Sequence, residues 1–243
     1  IGNRRRPVEQ DTATGIASGR RAFLRGAGSA CLAGGIGLAG GLGFGGEAAA
    51  ATKKAKRVKL FGTREIRSSK LAKFKKWTGV LKRYNVEKKD ELNKCKLSAS
   101  NKCEIAKWRI FLNKIAKEPP QKQLKLVNAY LNKWAYIIDP ANYGKKDYWA
   151  TPKQFMVRNG DCEDYAISKY ASLVHLGFDK NAMRVVVLQD LNLKVPHAIL
   201  VVYIDGKALA LDNQISTVIE ANRIKHYKPI FSINETNWWL HRG

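Results

Sequence analysis

The chain has 243 residues, with 44 Lys or Arg against 20 Asp or Glu, a formal net charge of +24, and four cysteines. Its length suits one domain with a sizeable core behind a separate leading segment. The charge points toward nucleic acid, but no RNP-like aromatic strand, zinc-ligand spacing or helix-turn-helix signature accompanies it; the spaced lysines read as solvated helix faces, and nucleic acid is not an expected partner.

Residues 1–51 have the layout of a twin-arginine signal peptide. Ser18-Gly19-Arg20-Arg21-Ala22-Phe23-Leu24-Arg25 is the basic region, a weakly apolar Gly/Ala-rich run follows from Gly26 to Gly46, and Ala48-Ala49-Ala50-Ala51 supplies small-residue cleavage sites. The run is too rich in glycine and alanine for a transmembrane anchor. Residues 52–243 are therefore expected to be one exported domain in the periplasm, with no stable membrane insertion after cleavage. Cys31 leaves with the signal. In an oxidising compartment Cys95 and Cys103 can close a short loop, which leaves Cys162 as the odd thiol.

Within the domain, Leu71, Phe74, Trp77, Val80 and Tyr84 recur at three to four residues and predict a helix over 68–84. The same spacing predicts helices over 103–116, ended by Pro119-Pro120, and over 121–134. Residues 139–144 read as a turn, and Thr151-Pro152 as a cap with proline at the first helical position of a short helix through 157. A helix carrying Cys162 runs to Gly177. The period then changes, and 183–188, 198–203 and 208–211 read as strands, the last two joined by an Asp205-Gly206 turn. The stretch 220–228 and the Trp238-Trp239-Leu240 tail are expected to close the domain by packing on it. Helices followed by antiparallel strands make an α+β fold.

The chemistry concentrates at Asn159-Gly160-Asp161-Cys162-Glu163-Asp164-Tyr165-Ala166. A helix N-terminus favours a thiolate through its unpaired N–H groups and positive dipole end, so Cys162 is the candidate nucleophile. The flanking acids oppose ionisation. With Asp205-Gly206 as the turn, Ile204 faces Lys207 and Ile199 faces Asp212, so His197 and Asp212 become diagonal neighbours on one sheet face. The carboxylate then fixes the imidazole tautomer. The Cys162 helix is expected to lie against that same face. Cys162 N–H is the expected oxyanion donor, and Gln154 is a candidate second one.

Tyr148-Trp149-Ala150-Thr151-Pro152, Gly160-Asp161-Cys162-Glu163-Asp164-Tyr165-Ala166-Ile167, the His197 strand and Leu211-Asp212-Asn213 together resemble the bacterial transglutaminase-like cysteine proteinases, and among them the LapG-type periplasmic proteases that release large surface adhesins. The resemblance implies a papain-like, transglutaminase-like fold with its nucleophile at a helix N-terminus. It implies a Cys162-His197-Asp212 triad and Ca²⁺ held by Asp161, Glu163 and Asp164. An adhesin substrate and an inner-membrane cyclic-di-GMP receptor as regulator also follow from it. A protein transglutaminase, a peptidoglycan peptide amidase and a non-catalytic binding module are the alternatives, since the first two use the same triad and the third keeps the fold.

Overall fold

The structure, a computed structural model, describes residues 58–90 and 103–243. The signal-like segment 1–51 and Cys95 lie outside those residues. Cys103 is disulfide-bonded.

The centre of the domain is built from β2 (Met183–Asp190), β3 (Val195–Ile204) and β4 (Lys207–Leu211), antiparallel in sequence order. The turn between β3 and β4 needs positive φ at both central positions, and Asp205 (49°) and Gly206 (73°) supply it. That turn sets the register: Ile204 pairs with Lys207 and Leu200 with Leu211, and one further step places Asp212 opposite Ile199.

The sheet is larger than the strands expected from the sequence. β1 (Arg64–Ser68), β5 (Ile219–Glu220), β6 (Tyr227–Ile233) and β7 (Trp238–Arg242) complete seven strands in the order β1-β7-β6-β2-β3-β4-β5. The expected helix over 68–84 accordingly begins only at α1 (Lys75–Asp90). Residues 64–68 are drawn instead into pairing with β7, and Leu71 and Phe74 reach the core from the intervening turn. Phe74 packs on Phe231 and Trp238, both at 5.1 Å between centroids, so the apolar spacing was real but only part of it is helical. The C-terminal aromatic tail likewise is strand β7.

The remaining helices are α2 (Glu104–Ile115), α3 (Pro120–Leu131), α4 (Asp139–Tyr143), α5 (Pro152–Arg158) and α6 (Cys162–His175). The segment read as a turn at 139–144 is thus the short α4, begun by Asp139-Pro140 and stopped by Gly144 at φ 62°. α6 is buried on all sides rather than along one stripe: Ser168, Lys169 and Ser172 are covered as fully as Ile167 and Leu173. It lies on β2 and β3 and is flanked by α3 and α5. The main core joins these helices to Val185, Leu200 and Val202, and a smaller core on the opposite face groups Val186, Ile199 and Val201 with Tyr227. Trp77 and Trp108 are fully buried, and their ring N–H groups find the Asn234 carbonyl and the Ser172 hydroxyl at 2.9 Å.

Candidate active site

α5 and α6 are joined by three residues, and this join sets up the site. Thr151 and Gln154 form a reciprocal cap: the Gln154 N–H donates to Thr151 Oγ1 at 3.3 Å, and the Thr151 N–H donates to Gln154 Oε1 at 3.0 Å. Gln154 Nε2 also donates to the Tyr148 hydroxyl at 3.0 Å. Both ends of this amide, the expected second oxyanion donor, are therefore engaged in holding the α5 cap and Tyr148. After α5, Asn159 takes φ 64°, and its Oδ1 accepts the Ala135 N–H at 3.1 Å. Gly160 accepts the Ile137 N–H at 2.9 Å and pairs with Tyr136 in a parallel bridge. The segment before α4 is thereby pinned beside the start of α6.

Cys162 is the first residue of α6 and 8% exposed. Its thiol donates to Glu163 Oε2 at 3.1 Å and lies beside the Ala198 backbone N–H and the Tyr136 hydroxyl. Burial first, then the Glu163 and Asp161 carboxylates, push its pKa well up, against the lowering by Ala198 N–H. The expected placement of α6 needs correction. The helix packs on the face of Val185, Leu200 and Val202, whereas His197 alternates onto the other face with Ile199 and Val201. The thiol meets β3 edge-on, at the backbone of Ala198, so it reaches the residue next to His197 without sharing its face.

His197 Nε2 lies 2.9 Å from Asp212 Oδ1, and both side chains are essentially buried. Asp212 is anchored from several sides. Its Oδ1 also accepts the Gln214 N–H at 2.9 Å, its Oδ2 accepts the Tyr227 hydroxyl at 2.7 Å, and its carbonyl accepts Asn132 Nδ2 at 2.8 Å. Burial would raise the pKa of Asp212, but the bonds from His197, Tyr227 and Gln214 outweigh it and hold the carboxyl below its ordinary value. An ionised Asp212 on Nε2 places the imidazole proton there and leaves Nδ1 as the basic nitrogen. Gln214 Nε2 approaches Nδ1 at 3.4 Å, in agreement with that tautomer. Tyr227 packs its ring 5.5 Å from His197. Tyr227→Phe, which leaves Asp212 Oδ2 buried without a donor, is expected to cost about 2 kcal/mol of stability. Thermal unfolding of the variant measures this, and an unchanged Tm would mean that the hydroxyl adds nothing.

Asp161, Glu163 and Asp164 fall into a cluster with a fourth acid not expected from the sequence, Asp139 at the start of α4. Asp139, Asp161 and Asp164 bring one carboxylate oxygen each within 4.8 Å of one another, and all three are buried. In two of them one oxygen is tied to backbone: Asp164 Oδ1 accepts the Ala150 N–H at 2.6 Å, and Asp139 Oδ2 accepts the Tyr148 N–H. Among the described residues, the other oxygens, Asp139 Oδ1 and Asp164 Oδ2, have no hydrogen-bond partner, and neither has Asp161 Oδ1. A Cβ on Gly160 would lie 2.2 Å from Asp164 Oδ2, so only glycine lets this carboxylate sit there. Burial, reinforced by the neighbouring acids, raises Asp161 and Asp164 to about 8 and also raises Asp139 and Glu163. Asp139 lies 23 residues before the cysteine in a segment that reads as an ordinary Asp-Pro turn, so its sequence carries no sign of the role. The same holds for Tyr136, Gln214 and Tyr227.

The family model of the bacterial transglutaminase-like cysteine proteinases matches residues 92–241, more than half of the chain. Calcium-bound LapG of Legionella pneumophila is 28% identical, with a TM-score of 0.54, over 67% of this chain and 86% of that one. A second LapG structure is 30% identical at a TM-score of 0.54 (66% of this chain, 87% of that chain), and an EGTA-treated one 29% identical at 0.55 (68% and 86%). A search of the curated proteins finds no match. Family match, fold likeness and a cysteine at the start of a buried helix agree: the chain belongs to the bacterial transglutaminase-like cysteine proteinases and is a cysteine peptidase of transglutaminase-like fold.

Proposed function

We propose that this peptidase is a periplasmic, calcium-dependent endopeptidase that cuts a protein substrate, the N-terminal region of a large surface adhesin, through Cys162, His197 and Asp212. The observation that carries the reading is the buried, hydrogen-bonded His197–Asp212 pair, with the thiol at the first position of α6 lying against Ala198, the residue next to His197. Among the described residues no helix is long and apolar enough to cross a membrane, as a processed periplasmic protein requires. The inner-membrane cyclic-di-GMP receptor expected as regulator belongs to the same proposal.

His197 Nδ1 takes the thiol proton and Asp212 stabilises the imidazolium. The sulfur attacks the peptide carbonyl, a C–S bond forms, and the carbonyl electron pair moves onto oxygen. Collapse expels the amine, which His197 protonates, and leaves an acyl-enzyme. Water, deprotonated by His197, then releases the acid and restores the thiol. Cys162 N–H has no intrahelical acceptor at the first position of a helix and is available to the oxyanion.

The acidic cluster fits a hard cation. Three buried carboxylates with unpartnered oxygens and raised pKa values are costly together unless a positive charge joins them. Asp139, Asp161 and Asp164 would hold Ca²⁺, with Glu163 alongside. The ion would supply the positive charge that offsets the acids flanking the thiol. Calcium-bound LapG supports this assignment.

The test is iodoacetamide labelling of Cys162 with calcium and after EGTA, followed by incubation with an adhesin N-terminal fragment. Fast labelling that EGTA suppresses reversibly, and cleavage of the fragment, are expected. A silent Cys162 in the reduced, folded protein sinks the catalytic reading. A reactive thiol that leaves the fragment intact but transfers to a labelled amine or opens cell-wall muropeptides assigns the transglutaminase or the amidase reaction instead.

A further inference from the structure

We propose that the hydroxyl of Tyr136 is the second oxyanion donor, a catalytic residue that lies beside the sulfur at rest and bonds the carbonyl oxygen after attack. This rests on the reading of Cys162 as the nucleophile.

Attack by sulfur moves a full charge onto the carbonyl oxygen, and a single backbone N–H at Cys162 is a meagre partner for it. The other donors around the thiol are committed. Gln154 is spent on the α5 cap and Tyr148, the Tyr227 hydroxyl is bound to Asp212 Oδ2, Gln214 Nε2 faces His197 Nδ1, and the Ala198 N–H, fixed in the β3 backbone, cannot turn from the sulfur to a new oxygen. Tyr136 is placed differently. Its backbone is clamped to the residues preceding α6 by the Ala135–Asn159 bond at 3.1 Å, the bridge to Gly160 and the Ile137–Gly160 bond at 2.9 Å. From that clamp its hydroxyl reaches the Cys162 sulfur. The residue is 53% exposed beside a thiol that is only 8% exposed, so its hydroxyl side is open to an incoming group.

A donor in contact with sulfur is within reach of the atoms that become bonded to sulfur. When the C–S bond forms, negative charge leaves the sulfur and appears on the carbonyl oxygen, and the hydroxyl follows it by a small rotation. When the C–N bond breaks, the oxygen regains its double bond and Tyr136 keeps its proton. Burial and the neighbouring thiol and carboxylates raise the Tyr136 pKa far above neutrality, in keeping with a group that donates without transferring its proton.

Two reactions of Cys162 separate this role from others. Alkylation by iodoacetamide displaces iodide and forms no oxyanion. Acylation by p-nitrophenyl acetate passes through one and releases p-nitrophenolate in a burst. The Tyr136→Phe protein is expected to acylate about a hundredfold more slowly than wild type, with Cys162→Ala as the blank. Its alkylation rate at Cys162, followed by peptide mapping, is expected to stay within about fivefold of wild type, which also reports a folded site. Equal falls in both rates would show a group that only activates or positions the thiol and would overturn the proposal. Unchanged rates, or both rising because the tyrosine restrains the thiol, overturn it as well and leave Cys162 as the nucleophile. A wild-type protein that neither alkylates nor acylates removes both readings at once.

Discussion

His197→Ala is expected to slow acylation of Cys162 by about a thousandfold, and Asp212→Asn by a similar factor. The two groups act as one unit: the carboxylate on Nε2 is what leaves Nδ1 as the basic nitrogen that takes the thiol proton. An asparagine at 212 can present its amide N–H to Nε2, which would shift the ring proton to Nδ1 and leave no base facing the sulfur. The double variant is therefore expected to lose little beyond either single one. The measurement is the p-nitrophenolate burst for wild type, both single variants and the double. Losses that multiply to about a millionfold would show two independent contributions and break the triad reading. An Asp212→Asn protein with near wild-type rates would leave Asp212 a purely structural residue.

Chelation of calcium is expected to change stability in a pH-dependent way, which separates a bound ion from a merely acidic surface. Asp161 and Asp164 have pKa values raised to about 8 when no ion joins them, against an ordinary carboxylate value near 4. The folded state then holds more protons than the unfolded one between about pH 4 and pH 8, so stability falls as pH rises across that window. The penalty is absent below about pH 4 and complete above about pH 8. With calcium present the same carboxylates are favoured as anions and the loss disappears. At a calcium concentration a hundred times its dissociation constant the ion itself adds about 2.7 kcal/mol. Thermal unfolding at pH 5 and pH 8, each with calcium and with EGTA, gives the four values needed. A calcium increment clearly larger at pH 8 is expected. An equal increment, or none, would mean that these acids do not hold the ion. Asp139→Asn is expected to shrink the increment at pH 8 although residue 139 lies far from the cysteine in sequence, which isolates the contribution of α4.

Local chemistry made much of this legible in the chain. The Asp205-Gly206 turn fixes which residues of β3 and β4 oppose each other, and that alone brings His197 and Asp212 to one face. The Thr151-Pro152 cap and the polar start of α6 are equally local, because capping depends on the few residues that form the first turn. The helices over 103–116 and 121–134 were legible because their apolar residues repeat at the helical period. Less could be read where a segment's partner is distant. Residues 64–68 form a strand because β7 lies beside them, some 170 residues later, and no local pattern announces that pairing. Leu71 and Phe74 continued the helical spacing while belonging to a turn, since the spacing reports burial and not conformation.

The sequence by itself determined the nucleophile's position, the His197–Asp212 register and three of the acids, because each depends on spacing within one helix start or one hairpin. The tertiary structure alone decided how the thiol meets its base: α6 packs on the sheet face opposite His197, and the sulfur reaches β3 through the Ala198 backbone. It also brought in Asp139, Tyr136, Gln214 and Tyr227, and it spent Gln154 on a helix cap. Residues of this kind act through single hydrogen bonds and carboxylate contacts with groups far away in the chain. Such contacts leave no periodicity and no spacing, and they exist only once the helices have closed over the sheet.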